Sequence, residues 1–499
     1  MDLLNHLLLG FGVALTPINA AYCFAGAMVG TLVGVLPGLG PLATMAMLLP
    51  ITFNMTPVTA LILLAGIYYG AQYGGSTTAI LVNLPGESSS VVTCIDGYQM
   101  ARQGRAGAAL AIAALGSFFA GTVATMLIAG FAPPLADLAL QFGPSAYFSL
   151  MVLGLVSAIV LASGSLAKAI AMVLLGILLG LVGTDVNSGL PRFTFGIPEL
   201  ADGIGFVIVA MGVFGFTEVI VNLELKGTRE LFTKKVTGLW LTRDEFKAAA
   251  PAVLRGTVLG SLLGILPGGG ALLSSFAAYS LEKKISRHPS KFGKGAIEGV
   301  AAPESANNAG AQTSFIPLLT LGIPSNPVMA LMIGAMMIHN IQPGPQIVIN
   351  QPELFWGMIA SMWVGNLMLV VLNLPLIGMW VRLLSVPYRV LFPSILLFCG
   401  IGIYTLSYST FDIRLAVLFG LLGYVFVKLG CEAAPLMLGF ILGPMMEETL
   451  RRALLLSRGD PSVFVTNPIS LCMLTTAAIL LGVVILPAVR KKREDVFVE

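Results

Sequence analysis

The sequence predicts an all-α polytopic membrane protein with about 10–12 membrane segments, arranged as two inverted-topology repeats. Each repeat is expected to contain a re-entrant helical hairpin and a broken helix. Three observations predict this fold class. The chain is very apolar, its two halves share glycine-rich motifs in the same order, and the positive charges that flank these motifs are distributed oppositely in the two halves.

The composition excludes a soluble enzyme. Of the 499 residues, 57% are hydrophobic and only 10% are charged, against about 25% charged residues in an ordinary soluble domain. The sequence contains no GxSxG or HExxH motif, and its five cysteines form no CxxC pair. We therefore expect no enzymatic activity, no cofactor, no transition-metal site and no disulfide framework.

A polar linker with six basic residues divides the chain into two repeats. We predict an N-terminal repeat at 1–223, with a hairpin around 18–53, a broken helix at 58–90 and further transmembrane helices. A cytoplasmic linker follows at 224–250. We then predict a C-terminal repeat at 251–489, with a hairpin around 251–281, a broken helix at 303–340 and further transmembrane helices, and a cytoplasmic tail at 490–499.

The repeat is visible in two pairs of motifs. GAMVGTLVGVLPGLG at 26–40 matches GTVLGSLLGILPGGG at 256–270, with eight of 15 residues identical at a constant offset of 230. GAQYGGSTTAILVNLPG at 70–86 then matches GAQTSFIPLLTLGIPS at 310–325, at an offset of 240 that slips to 239. Two matches in the same order indicate an internal repeat. Glycines spaced by four in the first pair favour close helix packing.

Charge predicts the orientation of each repeat. The flanks of the first hairpin, 1–17 and 54–57, hold no Lys or Arg, whereas 224–247 and 282–294 around the second hairpin hold eleven. By the positive-inside rule, one hairpin enters from outside and the other from the cytoplasm. The N-terminus is then periplasmic and the C-terminus cytoplasmic. Arg451, Arg452 and Arg458 do not fit this crossing count, which leaves the last three segments open.

The two hairpin turns are candidate binding sites. Proline lacks an N–H group and glycine permits positive φ, so each helix should stop within an apolar stretch. Free backbone groups at membrane depth occur where they line a cavity, and helix N-termini attract anions. The alternative is a kink that only packs. The candidate substrate-binding residues of the turns are Pro37, Gly38 and Gly40, and Pro267, Gly268, Gly269 and Gly270.

Polar residues beside the two broken helices are further candidates. Their hydroxyl and amide groups suit a carboxylate or Na⁺, although Ser and Asn also cap ordinary helices. The candidates in the first repeat are Ser76, Asn83, Pro85 and Gly86, and those in the second are Pro324, Ser325 and Asn326.

PESANNAGAQTS at 303–314 is the most polar stretch of the second repeat's membrane region. It adds Asn307 and Asn308 to the substrate candidates. Glu304 is a candidate because acidic groups at membrane depth are usually functional, although a cytoplasmic loop would leave it solvated.

The first hairpin and its partner break contain no Lys or Arg, because Arg102 is the first basic residue. An anion bound there would need a cation beside it, so we expect coupling to Na⁺ or H⁺. The tentative cation-coupling residues are Gly38, Asn83, Gly268, Glu304 and Asn308.

Four motifs carry a resemblance to a known family. GTLVGVLPGLGP, YYGAQYGGSTTAILVNLPG, TCIDGYQMARQGRAGAAL and FGKGAIEGVAAPESANNAGAQTSFIPLLTLGIPSNP resemble the large membrane subunit, TctA, of the tripartite tricarboxylate transporters. The resemblance implies ion-gradient-driven secondary transport in a bacterial inner membrane. It also implies two partners, a small four-helix membrane subunit (TctB-like) and a periplasmic solute-binding protein (TctC-like). An elevator-like movement is expected by analogy, and a homodimer of the membrane complex is left open.

The resemblance does not select one substrate. Citrate-like tricarboxylates come first, and dicarboxylates and aromatic carboxylates remain alternatives. A stand-alone cation-coupled carboxylate carrier is the closest alternative function. The permease of an ATP-driven importer and a passive channel are more distant ones, and the chain has no Walker A motif of its own.

Overall fold

The computed structural model describes residues 3–36, 40–162, 165–185, 187–224, 238–266, 270–383 and 388–485. Within these residues the fold is almost entirely helical, with one short antiparallel strand pair, β1 (Gly183–Thr184) and β2 (Pro191–Arg192). The all-α architecture predicted from the sequence is therefore confirmed.

The chain before the linker forms a series of helices, and α2 packs mainly against α4. They are α1 (Leu3–Ala14), α2 (Pro17–Val35), α3 (Pro41–Leu48), α4 (Pro57–Val82), α5 (Val91–Arg102), α6 (Ala106–Ala139), α7 (Pro144–Leu161), α8 (Leu166–Gly180), α9 (Phe206–Ala210) and α10 (Thr217–Glu224). A π-helical segment at Met211–Phe216 joins α9 to α10. Short 3₁₀ turns follow α3 and precede α5.

The helices after the linker begin inside the range that we assigned to it. They are α11 (Arg243–Gly264), α12 (Gly270–Ile285), α13 (Glu298–Thr313), α14 (Phe315–Leu321), α15 (Pro327–Ile338), α16 (Gln346–Asn350), α17 (Pro352–Asn373), α18 (Ile377–Leu383), α19 (Tyr388–Ser407), α20 (Thr410–Lys428), α21 (Ala433–Leu456), α22 (Val463–Thr466) and α23 (Pro468–Ile485). A capping box between Thr242 and Glu245 fixes the start of α11.

Among the described residues, four helices are long and apolar enough to cross a membrane, namely α2, α6, α17 and α20. Several shorter apolar helices lie between them, including α1, α8, α15 and α23. Helix α6 has 34 residues, which is about 51 Å at 1.5 Å per residue. It therefore extends beyond a hydrocarbon core of about 30 Å. These features support a polytopic membrane protein.

The glycine faces pack as the four-residue spacing predicts. An added Cβ at Gly30 of α2 would lie 2.8 Å from Cα of Ile67 on α4, and one at Gly260 of α11 would lie 2.6 Å from Cα of Ala306 on α13. Such distances leave no room for a methyl group. The α2–α4 and α11–α13 pairs are therefore in backbone contact, which confirms the packing interpretation of these glycines.

The two broken helices have matching local geometry. Helix α4 ends at Asn83 with φ of 57°, and α14 ends at Gly322 with φ of 72°. Four residues after each left-handed residue, a side chain caps the next helical segment, Glu87 in the first half and Asn326 in the second. Both breaks thus stop one helix and start another within a few residues, at positions separated by 239 in the sequence.

The arginines of α21 are paired with acidic residues. Arg451 lies 3.1 Å from Asp185 in the α8–α9 loop and 2.6 Å from Glu447 one turn earlier. Arg452 pairs with Glu448 in the same way. These ion pairs hold α21 to the α8–α9 loop and link successive turns of α21.

Candidate functional site

Glu304 lies at the centre of a buried polar network. It occupies the second turn of α13, and its side chain receives contacts from two helices of the other half of the chain. Oγ of Ser76 on α4 lies 2.5 Å from Oε2, and the hydroxyl of Thr93 on α5 contacts Oε1. Residue Glu304 is only 1% exposed. The solvated loop position that the sequence also allowed is therefore wrong.

The backbone carbonyl of Glu304 is held from a third helix. The amide of Asn308 donates to this carbonyl at 3.1 Å and to the hydroxyl of Ser117 on α6 at 2.6 Å. Asn308 therefore contacts the main chain of Glu304 and not its carboxyl group. The predicted pair is brought together, with Asn308 placed to fix α13 against α6.

A second carboxyl group, that of Glu87, lies at the first helix break. Its Oε1 accepts a hydrogen bond from the amide of Asn307 at 3.1 Å, and the hydroxyl of Ser89 also contacts this oxygen. Glu87 caps the short 3₁₀ turn that precedes α5. The two carboxyl groups of the network therefore come from different halves of the chain, and each is bound by polar groups of the other half.

The second helix break is joined to α4 and to the second hairpin. Nδ2 of Asn326 donates to Ser314 at 3.0 Å and lies 3.5 Å from the hydroxyl of Tyr68, while its Oδ1 caps α15 by accepting from the N–H of Met329. An added Cβ at Gly270 would lie 3.2 Å from Cβ of Asn326. Asn326 therefore both caps α15 and lies beside the second hairpin.

The remaining predicted residues take different places. Ser325 is buried and donates to the carbonyl of Ser314 at 3.2 Å, and Pro324 is buried beside it. Asn83 is the exposed left-handed cap of α4, Pro85 is half-buried, and Gly86 is buried.

Several residues of the two hairpin turns fall outside the described part of the chain. Gly40 and Gly270 are described at the starts of α3 and α12. Pro37 and Gly38 of the first turn, and Pro267, Gly268 and Gly269 of the second, lie outside the described residues. Their proposed roles stay predictions.

Sequence reasoning missed Thr93 and Ser117, which contact Glu304 from α5 and α6. Neither lies in a repeated motif, although Thr93 opens the motif TCIDGYQMARQGRAGAAL. It also missed Gln72 of the repeated GAQ motif, whose counterpart Gln312 belongs to the polar stretch at 303–314; the two glutamines are 0% and 2% exposed. Their recurrence at matching positions is a signal that could have identified them.

Three buried amide side chains of α4 and α13 carry atoms without a hydrogen-bond partner among the described residues. These atoms are Nε2 and Oε1 of Gln72, Oε1 of Gln312 and Oδ1 of Asn307. A buried polar atom without a partner costs free energy, so each such atom requires an explanation. A ligand that binds between α4 and α13 would satisfy them.

A fold of packed apolar helices around a buried polar centre defines a polytopic helical membrane protein. The family model for the tripartite tricarboxylate transporter TctA family matches residues 20–438. The chain belongs to this family, and it is therefore related to the large subunit of a tricarboxylate transporter.

The curated relatives extend the match to the whole chain. One relative is an uncharacterized 52.8 kDa protein of Agrobacterium vitis, named for its place in the TAR-I ttuC' 3' region. It is 61% identical over 499 residues, which are 100% of this chain and 99% of that protein. A second A. vitis protein, from the TAR-II ttuC' 3' region, is 60% identical over 240 residues, 48% of this chain and 99% of its own length. No solved structure matches.

Proposed function

We propose that this chain is the large permease subunit of a binding-protein-dependent, ion-gradient-driven transporter that imports a carboxylate. Membership of the TctA family supports transport. The single observation that carries the rest is the convergence of both helix breaks on one buried polar centre, which contains acidic, hydroxyl and amide side chains from both halves of the chain.

The substrate is proposed to bind between the hairpin turns and the helix breaks. Helix α15 begins at the second break and α5 follows the first, so the N–H groups and positive dipole ends of both helices lie near the polar centre. The unpartnered amide atoms of Gln72, Gln312 and Asn307 supply donors and acceptors. A carboxylate suits these groups, and citrate is the first candidate.

The two halves are proposed to be inverted repeats with re-entrant hairpins. The matching glycine contacts of α2–α4 and α11–α13, and the matching left-handed residues at the breaks, support the repeat. The opposite charges of the hairpin flanks support the inversion. This architecture favours an elevator-like movement, in which the hairpins carry the site across the membrane.

Helix-end contacts support the proposed orientation in the bacterial inner membrane. Arg105, at the start of α6, lies 2.9 Å from Glu245 at the start of α11, next to the basic linker. These ends therefore lie together, on the side that the positive-inside rule assigns to the cytoplasm. The proposal places the N-terminus in the periplasm, and Asp185 and Arg451 on the periplasmic side. The proposed partners are a TctB-like small membrane subunit and a TctC-like periplasmic binding protein.

The test is uptake of labelled citrate into proteoliposomes that contain this chain and its small membrane partner. The binding protein is added or omitted, and a Na⁺ or H⁺ gradient is imposed. Gradient-driven uptake only with the binding protein is the expected result. Uptake without it would favour a stand-alone carrier, uptake only with ATP and an ATPase would favour an ATP-driven importer, and no uptake by a folded complex would exclude citrate.

The hairpin turns are tested in the same assay. Gly38→Leu and Gly268→Leu are expected to abolish uptake without loss of folding or membrane insertion. Gly130→Leu is the matched control, because Gly130 lies on α6 with no atom within 4 Å of an added Cβ. Unchanged uptake in both turn variants would contradict a substrate site at the turns.

A further inference from the structure

The carboxyl group of Glu304 has no cationic partner in the described part of the chain. None of the ion pairs there includes it, and the basic residue nearest to it on α11, Arg255, is bound to Glu282 of α12 at 2.5 Å. A buried carboxylate without a counter-charge is unfavourable at membrane depth. The group must therefore bind a cation or hold a proton.

The other titratable groups that face Glu304 do not supply a positive charge. Glu87, Tyr73 of α4 and Cys94 of α5 interact with it electrostatically. Asp96 of α5 lies against Gly299, more than one turn earlier on α13, where backbone N–H groups hold it. Helix α6 contributes only the hydroxyl of Ser117 near this turn. In the described part of the chain, the carboxyl group that interacts electrostatically with Glu304 is that of Glu87, and it is acidic as well.

The hydrogen atoms of the network can be counted. The hydroxyl of Ser76 has only one hydrogen to donate. Its oxygen nevertheless lies within hydrogen-bond distance of two acceptors, Oε2 of Glu304 at 2.5 Å and the backbone carbonyl of Gln72 at 2.9 Å. If Glu304 is protonated on Oε2, it donates to Ser76, Ser76 donates to Gln72, and Thr93 donates to Oε1. Each hydroxyl hydrogen then has an acceptor, and no net charge is buried.

The ionised form satisfies the network less well. Ser76 and Thr93 would both donate to the carboxylate, and the backbone carbonyl of Gln72 would keep only its hydrogen bond within α4. The negative charge would also remain buried beside the carboxyl of Glu87. Among the described residues, no group of three or more His, Cys, Asp or Glu side chains could hold a metal ion here. The geometry therefore favours a proton over a metal cation at this position.

We propose that the coupling ion is a proton and that Glu304 carries it, with Ser76 as the relay to water. This inference rests on the proposed transport function. Glu304 is the neutral acid in the closed arrangement described here, and it transfers its proton to water as H₃O⁺ when the site opens to the cytoplasm. It takes up a proton again from the periplasmic side, so one proton enters in each cycle.

In this proposal, the proton reaches water through a small cavity beside Ser76. It is lined by Tyr73, Ser76, Thr77 and Ser117 among others. Its volume of about 10 Å³ is about the space that a cavity needs to hold one water molecule. This cavity is too small for the substrate. A water in this cavity would lie beside the hydroxyl of Ser76, and Oδ1 of Asn373, which also lines the cavity, has no hydrogen-bond partner among the described residues.

The experiment compares wild type with Glu304→Gln in proteoliposomes that contain the small membrane partner, a trapped pH-sensitive dye and labelled citrate. The wild type, with the binding protein, is expected to accumulate citrate under a pH gradient and to acidify the lumen as citrate enters. Glu304→Gln imitates the protonated acid, so it is expected to lose accumulation and lumenal acidification but to retain exchange of internal for external citrate. Glu298→Gln, on the same helix near its cytoplasmic end, is the matched control and is expected to behave as wild type.

Two further measurements keep the proposal refutable. Ser76→Ala is expected to slow proton-driven accumulation more than exchange. Should Glu304→Gln fail to fold, Glu304→Asp retains the acid, and the infrared band of its protonated carboxyl should shift relative to wild type. Accumulation driven by Na⁺ with no proton entry, or undiminished pH-driven accumulation in Glu304→Gln, would overturn the proton assignment. Both of these outcomes leave citrate transport intact, whereas absence of any citrate uptake or exchange in the wild type contradicts the proposed function itself.

Discussion

Gly260→Ala is expected to destabilise the protein, although alanine is the better helix former. An added Cβ at Gly260 would lie 2.6 Å from Cα of Ala306, whereas carbon atoms prefer about 3.5–4.0 Å. Helices α11 and α13 must therefore separate by about 1 Å at this point. Overpacking of this kind costs about 1–3 kcal/mol, which exceeds the gain of about 1 kcal/mol in helix propensity.

The matched control is Gly130→Ala on α6, where an added Cβ meets no atom within 4 Å. Gly130 gains the propensity term without the overpacking term, so its thermal midpoint should equal or exceed that of wild type. Gly30→Ala, at the equivalent contact between α2 and α4, should behave as Gly260→Ala does. The assay is thermal unfolding of purified protein in detergent at one fixed heating rate. Equal midpoints for Gly260→Ala and Gly130→Ala would refute the reasoning.

Two further predictions concern the ends of the helices. Asp96→Asn is expected to destabilise the contact of α5 with the loop before α13 by about 1.5–3 kcal/mol for each charge-assisted hydrogen bond lost. The reason is that the carboxylate accepts from three backbone N–H groups and from Tyr279. Hydrogen exchange of that loop measures the destabilisation, and unchanged protection of its amides would contradict the prediction. In the α8–α9 loop, the Asn187 backbone N–H and Arg451 hold the pKa of Asp185 below its ordinary 3.8. Because the pKa of Asp185 is lower in the folded state than in the unfolded state, its ionised carboxylate stabilises the folded loop at pH values above the unfolded pKa. This stabilisation is lost as the pH falls through the folded pKa. The protection of the loop amides, taken relative to the intrinsic exchange rate at each pH, should therefore fall below about pH 4, and a protection profile that Arg451→Ala leaves unaltered would argue against the pairing.

The repeated motifs predict local geometry well. Proline and glycine mark the ends of α2, α4, α11 and α14 because they restrict or extend the allowed backbone angles. The four-residue spacing of glycines at 26–34 and 256–264 predicts one smooth helix face, since residues three or four apart share a face. These features depend on residues that are close in sequence, and the structure places them as expected.

The polar centre is less accessible to sequence reasoning. Glu304 was a candidate because it is an acid in an apolar region, but nothing near it in the sequence indicates its partners. Ser76 lies 228 residues away and Thr93 lies 211 away. The start of α11 at Arg243 was also placed too late, because the charged first turns of this helix resemble a linker in composition.

The class of protein, the positions of the helix breaks and the faces along which helices approach can be read from the amino-acid sequence. They follow from hydrophobicity, periodicity and backbone preference, which act over a few residues. The burial of the carboxyl groups of Glu304 and Glu87, without a cationic partner among the described residues and with each bound by the opposite half of the chain, is visible only in the folded molecule. The reason is that burial and side-chain contact depend on how distant helices are oriented against one another, and that orientation is a property of the packed whole.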